Sequence, residues 1–536
     1  MEEKKKRKEK LSIYLAKQKI EDYRVLVKQE DATGPFQIDM PDSEARLFIK
    51  REIEKPPPPW TRLFSSYPDL HFGTTRSVGA LLIVRRDDRI YALTFGTGHH
   101  LLNNETIERD FGLRVTINSV EPDKLRSIDR ASYSENPLNS RTQSTTEVDI
   151  FDLNMDSELE MLYALTGSSK VSLFGNQITG RDALTMVVEV KLSDIPKILD
   201  EALKRYISKL PPQFEWVDNI KKVKDLEVVQ ILDLELESIL QSESRETLWL
   251  GEPEIVDWER QAGYSFDMYA NTERHVVLEL DDLLAYMKNK ARDITAESLR
   301  AQPIHINDSE FTSIRSWSAY RCLYAEVRYG SGRYLLRNGI WFEVDDDFVS
   351  TVDSYLENLE SYNFTFPVYS HDREEQYNDF VASNDSSFTL MDKNNTKIGG
   401  RYDKIEFCDL VKGSSDLVHV KLYRSSGTLS HLFAQGSVAA ETFVKDEDFR
   451  QRLNHKLPAH IKLENASARP DVESYRIVYA VATNKNLPNE LPFFSKVTLR
   501  NAVKNLRALG YGVHLTAIEV DPDLLAKKKY KPKKPK

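Results

Sequence analysis

Residues 405–436, IEFCDLVKGSSDLVHVKLYRSSGTLSHLFAQG, contain two apolar runs on either side of a Gly-Ser-Ser-Asp turn. Apolar runs bounded by turn residues indicate two neighbouring strands. The first run carries Asp409, and the second carries His419 and Lys421. The last two side chains share a face because side chains alternate along a strand. A carboxylate beside a lysine is a common setting for a divalent metal next to a scissile phosphate, so this stretch predicts phosphodiester chemistry.

The segments around this hairpin are predicted to form a regular succession of elements. We expect helices over residues 374–382, 429–443 and 494–508, and strands over residues 388–391, 404–411, 417–423, 475–483 and 513–520. The resulting core order is α-β-β-β-α-β. The mixture of hydrophobic periods predicts an α+β fold for the C-terminal half.

This order resembles the restriction-endonuclease-like core of the PD-(D/E)xK superfamily. The resemblance implies that Glu375 is the helix carboxylate, Asp409 the strand carboxylate, Lys421 the lysine and Gln435 the residue from the next helix. Asp409 and Glu375 would then supply the oxygen ligands of Mg²⁺ or Mn²⁺. His419 stands where that superfamily usually has Asp or Glu.

The histidine leaves several interpretations open. Imidazole suits Mn²⁺ better than Mg²⁺, so His419 could be a metal ligand, or it could be a general base. It could also mark a degenerate site that binds without cutting. Glu406 and Asp416 are nearby acids that could replace one of the chosen residues, and a surface hairpin with solvated charges is the structural alternative.

Phosphate-binding residues are expected at two places. Arg424, Ser425 and Ser426 follow the second apolar run, where a helix N-terminus can bind phosphate, although helix capping is the alternative role of the serines. Lys527, Lys528 and Lys529 belong to the last ten residues, which have a charge of +7 in a chain of net charge −10. Such a tail predicts either a solubilising segment or a salt-sensitive arm for nucleic acid.

The length of 536 residues predicts several domains. We expect an N-terminal arm with a Pro-rich connector (1–60), an α+β domain (61–300), a hairpin-rich middle segment (301–365), a nuclease-like domain (366–522) and a basic tail (523–536). In the first half, the patterns predict helices over 42–53, 104–111, 193–206 and 226–241, strands over 11–16, 77–84, 89–94, 113–119 and 184–192, and a loop over 127–148. Asn338-Gly339 predicts a hairpin turn.

The composition excludes some classes of protein. No apolar run reaches the about 18 residues of a membrane span, so no membrane association is expected. Cys322 and Cys408 are the only cysteines, which excludes a disulfide framework and a cysteine-based zinc site. Few cysteines and no apolar signal segment predict a cytoplasmic protein.

Longer blocks, among them residues 107–129, 214–225 and 405–436, resemble a sporadically distributed family of uncharacterised bacterial proteins found near mobile elements and restriction-type genes. The resemblance implies a role in defence against foreign nucleic acid, DNA being favoured over RNA, with a phage or operon-encoded protein as a further partner. The alternative is a catalytically inactive subunit that binds nucleic acid or a protein partner in a multi-gene defence system.

Overall fold

The structure is a computed structural model, and it describes residues 8–52, 59–67, 69–71, 77–132, 138–150, 152–242, 244–254, 256, 261–269, 272–308, 311–391, 396–397, 404–424 and 426–524. The chain divides into two compact units. The first unit comprises residues 1–132 and 139–218, and the second comprises residues 133–138 and 219–536. Both units mix helices with sheets, so the α+β prediction is confirmed.

The first unit is built on a sheet whose ten described strands are all antiparallel. The sheet order is β2-β3-β4-β5-β1-β10-β9-β8-β6-β7. Its strands are β1 (Glu9–Leu15), β2 (Ala32–Met40), β3 (Ser43–Lys50), β4 (Gly79–Arg86), β5 (Arg89–Gly96), β6 (Val120–Ser132), β7 (Asn139–Val148), β8 (Glu160–Ser169), β9 (Gln177–Gly180) and β10 (Leu184–Val188), and its helices are α1 (Phe111–Ser119) and α2 (Ile195–Ile207).

The start of α1 packs directly against the turn between β9 and β10. The backbone amides of Gly112 and Leu113 donate to the carbonyl oxygens of Asp182 and Arg181, at 3.3 and 2.8 Å. These bonds satisfy amides that have no partner within a helix. The approach leaves no room for a side chain, because a methyl group at Gly112 would lie 2.0 Å from the Ala183 carbonyl oxygen. A methyl group at Gly180 would lie 1.9 Å from the Gly112 oxygen.

The second unit contains several sheets. Its described strands are β11 (Ile220–Lys222), β12 (Leu248–Leu250), β13 (Gly263–Ser265), β14 (Pro303–Asn307), β15 (Ser313–Ser318), β16 (Leu323–Tyr329), β17 (Gly332–Arg337), β18 (Ile340–Val344), β19 (Glu360–Ser361), β20 (Phe388–Leu390), β21 (Thr396–Lys397), β22 (Lys404–Ile405), β23 (Leu410–Lys412), β24 (Asp416–Leu422), β25 (Arg476–Ala482) and β26 (Gly512–Ile518). Its helices are α3 (Leu226–Gln241), α4 (Leu280–Asn289), α5 (Ala296–Ala301), α6 (Ala319–Cys322), α7 (Asp346–Glu357), α8 (Glu374–Asn384), α9 (Ser426–Lys445), α10 (Glu447–Lys456) and α11 (Phe493–Leu509).

The six-stranded sheet of this unit has the order β19-β26-β25-β24-β23-β20. Strand β23 is antiparallel to both of its neighbours, whereas β24, β25 and β26 are parallel to one another. One face of β24 packs on α8 through Val418, Val420 and Leu422, which share a core with Tyr377 and Val381. The other face of the sheet meets α9, where the hydroxyl of Tyr479 in β25 donates to the Phe433 carbonyl oxygen at 3.0 Å.

A separate five-stranded antiparallel sheet has the order β11-β18-β17-β16-β12. Asn338 and Gly339 link β17 to β18 with positive φ values of 49° and 72°, which confirms the predicted hairpin turn. Both cysteines are buried, Cys322 beside this sheet and Cys408 before β23, and burial raises the pKa of each thiol. Within the described residues, no helix combines the length and the apolar character needed to cross a bilayer.

Four local predictions in the first unit are wrong. Residues 42–53 contain strand β3 rather than a helix, because β2 and β4 pair with both of its edges. Residues 113–119 lie in α1 rather than in a strand. The predicted helix at 104–111 is a short 3₁₀ turn, Asn104–Thr106, and α1 begins only at Phe111. The predicted loop at 127–148 contains most of the β6–β7 hairpin, in which Arg141 pairs with Asp129 at 2.6 Å.

Candidate functional site

The candidate site lies where β24 extends beyond β23. The two strands run antiparallel, so the start of β23 meets the end of β24. The last ladder bond on this side joins the Asp409 amide to the Val418 carbonyl oxygen at 3.0 Å. Beyond that point, the edge of β24 presents the backbone amides of Val420 and Leu422. An unpaired buried amide is costly, so these groups require acceptors from elsewhere.

Two carboxylates supply these acceptors. Asp409 Oδ2 accepts from the Val420 amide at 2.7 Å, and Glu374 Oε1 accepts from the Leu422 amide at 3.2 Å. The two amides lie about 7 Å apart, because a strand rises about 3.4 Å per residue. Side-chain oxygens thus accept hydrogen bonds from the edge of β24 beyond the point where its pairing with β23 ends. Each carboxylate has further lone pairs beyond the one that an amide occupies.

Lys421 contacts one of these two carboxylates. Its Nζ lies 2.7 Å from Glu374 Oε2, and the side chains of Lys421 and Glu374 are 25% and 27% exposed. The pair is therefore close to solvent but not fully open to it. We call Glu374, Asp409 and Lys421 the strand-end cluster. It combines two oxygen acceptors with one cation at the end of a single strand.

Glu374, rather than the predicted Glu375, is the carboxylate that contacts Lys421. Both glutamates belong to the first turn of α8. The sequence did contain a signal for the choice, because Tyr377 and Val381 lie three and seven residues after Glu374 and are both buried. Residues at these spacings share one helix face, which is the face turned toward the sheet.

Gln435 contacts a different acid from those of the cluster. Its Nε2 donates to Glu406 Oε2 at 2.9 Å. Glu406 precedes β23 and is not part of a strand, because the predicted strand at 404–411 is broken into β22 and β23. In a regular strand, side chains three residues apart, such as Glu406 and Asp409, would point to opposite faces. That constraint does not apply here, because the two residues do not share a strand. Gln435 and Glu406 link α9 to the segment that carries Asp409.

His419 lies inside the core. It is 1% exposed, and its ring centroid is 6.1 Å from that of Tyr479. Neither ring nitrogen has a hydrogen-bond partner among the residues that the structure describes. Burial lowers the pKa of His419 from 6.5 to about 4. The imidazole is therefore neutral at pH 7, and it lacks the solvent contact that a general base or an open metal site needs.

The expected phosphate contacts are only partly described. Arg424 is exposed directly beyond β24, and α9 begins at Ser426. Ser425, Lys527, Lys528 and Lys529 lie outside the described residues. Arg424, three residues after Lys421, and Arg373, which directly precedes Glu374, are both exposed cations close in sequence to the cluster.

The cluster meets the ligand requirements of magnesium only in part. No group of three or more His, Cys, Asp or Glu side chains placed to hold a metal occurs in the described parts of the chain. Mg²⁺ nevertheless is commonly held by one or two carboxylates, with waters and substrate phosphates completing its shell. Asp409 and Glu374 fit that mode of binding, whereas a closed structural metal site is not indicated.

The buried histidine predicts a measurable dependence of stability on pH. Since its folded pKa is depressed, its contribution is fully present above about pH 6.5 and is lost as the pH falls toward 4. The loss amounts to about 3 kcal/mol. Urea unfolding at pH 7 and pH 4.5 should show a smaller difference for His419→Leu than for the wild type. The exposed His431→Gln is the control, and equal differences in all three proteins would contradict the assignment.

Comparison with known proteins adds a family but no activity. No curated protein and no solved structure matches the chain. The sequence profile of a family of unknown function, DUF6119, matches residues 11–519. This range covers both compact units, including the strand-end cluster. The chain therefore belongs to the DUF6119 family.

Proposed function

We propose that the second unit carries a metal-dependent phosphodiesterase site that cleaves nucleic acid. One observation carries the proposal. Asp409 and Glu374 accept hydrogen bonds from the Val420 and Leu422 amides at the end of β24, and Lys421 of the same strand contacts Glu374 at 2.7 Å. Two carboxylates and a lysine at one strand end are the groups that metal-assisted phosphate hydrolysis requires.

The order of elements supports a restriction-endonuclease-like core. Helix α8 is followed by β20, β23 and β24, then by α9 and β25, which gives the α-β-β-β-α-β succession apart from the small β21–β22 hairpin and helix α10. The antiparallel pairing of β23 with β24 brings Asp409 to the end of β24. Helix α8 contributes Glu374, whereas Gln435 of α9 contacts Glu406 and not the cluster.

Each residue of the cluster has a distinct proposed role. Asp409 and Glu374 would hold Mg²⁺ or Mn²⁺, which when bound supplies Lewis-acid polarisation of the phosphate. Lys421 would neutralise a phosphate oxygen or orient the attacking water. Its pairing with Glu374 keeps the ammonium group at the cluster in the absence of substrate. Arg424 would contact a neighbouring phosphate, and His419 remains a core residue in this assignment.

The second candidate is a subunit that binds nucleic acid without cutting it. His419 favours this alternative, because the position that normally carries a third acidic ligand holds a buried neutral imidazole. Such a subunit would bind DNA or RNA with an affinity that falls steeply with salt. A role in defence, with a phage or operon-encoded protein as partner, is compatible with either candidate.

A cleavage assay separates the two candidates. Plasmid DNA and RNA are incubated with the full-length protein in Mg²⁺, Mn²⁺ or EDTA. We expect cleavage with metal, none in EDTA, and a loss of about 100-fold in Lys421→Ala, since positioned electrostatic groups commonly contribute that much. The exposed Lys462→Ala should cut like the wild type. Binding without cleavage in every metal would favour the inactive subunit.

A further inference from the structure

A cavity of about 230 Å³ lies in the second unit, and one of its lining residues contacts the segment that follows β24. One of its lining residues, Lys485, lies just beyond the end of β25, and its Nζ is 4.9 Å from the centroid of the Tyr423 ring. Tyr423 follows β24 directly and is two residues from Lys421. Lys485 places part of the lining beyond the carboxyl end of β25, and open sheets commonly bind ligands beyond the carboxyl ends of their parallel strands.

Six of the nine residues that line the cavity are polar or charged. The cavity is smaller than the about 300–1,000 Å³ of sites for drug-sized ligands, so it can enclose only part of such a ligand. The walls come from α3, the start of β12, β16 and the segment before α11. The lining residues are Glu235, Ile239, Thr247, Glu326, Val327, Arg328, Lys485, Glu490 and Pro492.

Among the three acids of this lining, Glu326 is buried, with 8% of its surface exposed. Its two oxygens accept from the backbone amides of Phe493 and Phe494, at the start of α11. Burial raises the pKa of this carboxyl group, and the two amide bonds at the start of the helix act in the opposite direction by favouring its charged form. A carboxylate offers about four acceptor positions, so Glu326 retains acceptor capacity toward a donor in the cavity.

The mouth of the cavity carries two cations. Arg328 is exposed and donates one hydrogen bond to the Leu491 carbonyl oxygen at 3.3 Å, which leaves most of its five donors for a ligand. Lys485 pairs with Glu246 at 2.7 Å and lies between the cavity and Tyr423. Glu326 can accept from N–H donors of a ligand, and the two cations can bind a negative group, in a lining that also contains the exposed acids Glu235 and Glu490.

We propose that this cavity binds a guanine nucleotide unit, and that it selects the nucleotide next to the scissile phosphate; the second part rests on the proposed function. Guanine presents adjacent N1–H and N2–H donors, which match the two oxygens of Glu326. Uracil and thymine place carbonyl oxygens beside their single N–H, so a carboxylate repels them. The phosphate would face Arg328 and Lys485. Carboxylates likewise accept from amino groups of bases in protein–DNA interfaces.

Calorimetric titration of the full-length protein with GMP and UMP tests the binding site without any need for cleavage. We expect GMP to bind at least about tenfold more tightly than UMP, since a paired contact to a base edge discriminates by about that much or more. Arg328→Ala should weaken GMP binding by about tenfold through loss of the phosphate contact. Lys462→Ala should leave it unchanged. Equal affinity for GMP and UMP, no binding of either, or an unaltered Arg328→Ala would overturn the proposal.

Two further measurements separate this inference from the proposed function. Asp409→Asn should retain GMP binding while it loses cleavage, so the two sites can fail independently. Five-nucleotide single strands with and without one guanine distinguish a nucleotide within a strand from a free nucleotide. Tighter binding of the guanine-containing strand supports the substrate subsite, whereas binding of GMP with no preference between the strands would overturn that assignment. Glu326→Gln should lower GMP affinity, with its melting temperature measured alongside.

Discussion

Asp409→Asn is expected to reduce metal-dependent cleavage by at least about 100-fold while the protein stays folded. The bound metal contributes several kcal/mol to phosphate hydrolysis, and a neutral amide holds Mg²⁺ poorly. The asparagine oxygen can still accept from the Val420 amide, which lies 2.7 Å from the aspartate oxygen. The substitution therefore removes the charge and preserves the hydrogen bond that completes the edge of β24. Plasmid cleavage and the urea midpoint are measured on the same preparations.

Asp409→Ala is the matched variant, because it removes the charge and the acceptor together. Leaving the Val420 amide without an acceptor should lower the free energy of unfolding by about 1–3 kcal/mol. Asp409→Asn should change it by less than about 1 kcal/mol. If both variants unfold at the same midpoint as the wild type and both still cut, Asp409 has neither the catalytic nor the structural role assigned to it.

Gly180→Ala is expected to prevent stable folding of the first unit. Its added methyl group would meet the Gly112 carbonyl oxygen at 1.9 Å and the Thr116 hydroxyl at 2.2 Å. Backbone in the first turn of α1 cannot move without breaking its bonds to the β9–β10 turn. The cost should exceed the about 1–3 kcal/mol that is typical of overpacking. Limited proteolysis and thermal unfolding measure the loss of stability of the first unit. Gly112→Ala should destabilise the unit in the same way.

Two other glycines provide a graded control for this experiment. A methyl group at Gly167 would lie 3.0 Å from the Lys124 carbonyl oxygen, so Gly167→Ala should destabilise moderately. A methyl group at Gly251 would meet only the Tyr324 ring, at 3.4 Å, which is an ordinary contact. Gly251→Ala should therefore melt within a few degrees of the wild type. The same melting temperature for all four variants would refute the close approach of α1 to β9.

The sequence predicted long, periodic or well-capped elements correctly. Helix α3 has an Asp225 cap that accepts from the Glu227 amide, and its bounds agree with the predicted range 226–241. The Asn338-Gly339 turn requires positive φ at both positions, which these residues adopt at low cost. Strand β25 is a continuous apolar run after its first residue, as expected for a strand buried on both faces.

Other features depend on contacts that sequence patterns do not carry. Helix α1 is buried on nearly every side, so its hydrophobic residues show no helical period, and β-branched Val115, Thr116 and Ile117 suggested a strand. Strand β7 is polar because it lies at the edge of its sheet, which made it resemble a loop. In the strand-end cluster, Asp409 and Lys421 were predicted, but the choice of Glu374 depends on the rotation of α8 about its axis.

The cavity at Glu326 joins segments 167 residues apart, and no local pattern indicates it.

Because both thiols are buried, the rate at which each is alkylated measures how often the structure around it opens. Only a thiolate reacts quickly, and burial suppresses that form of Cys322 and Cys408 in the folded protein. Cys408 precedes Asp409, so its labelling rate reports how often the edge of β23 separates from β24. Cys322 reports the five-stranded sheet in the same experiment. Because these are the only cysteines in the chain, mass spectrometry of a single labelled sample can time two regions of the second unit separately.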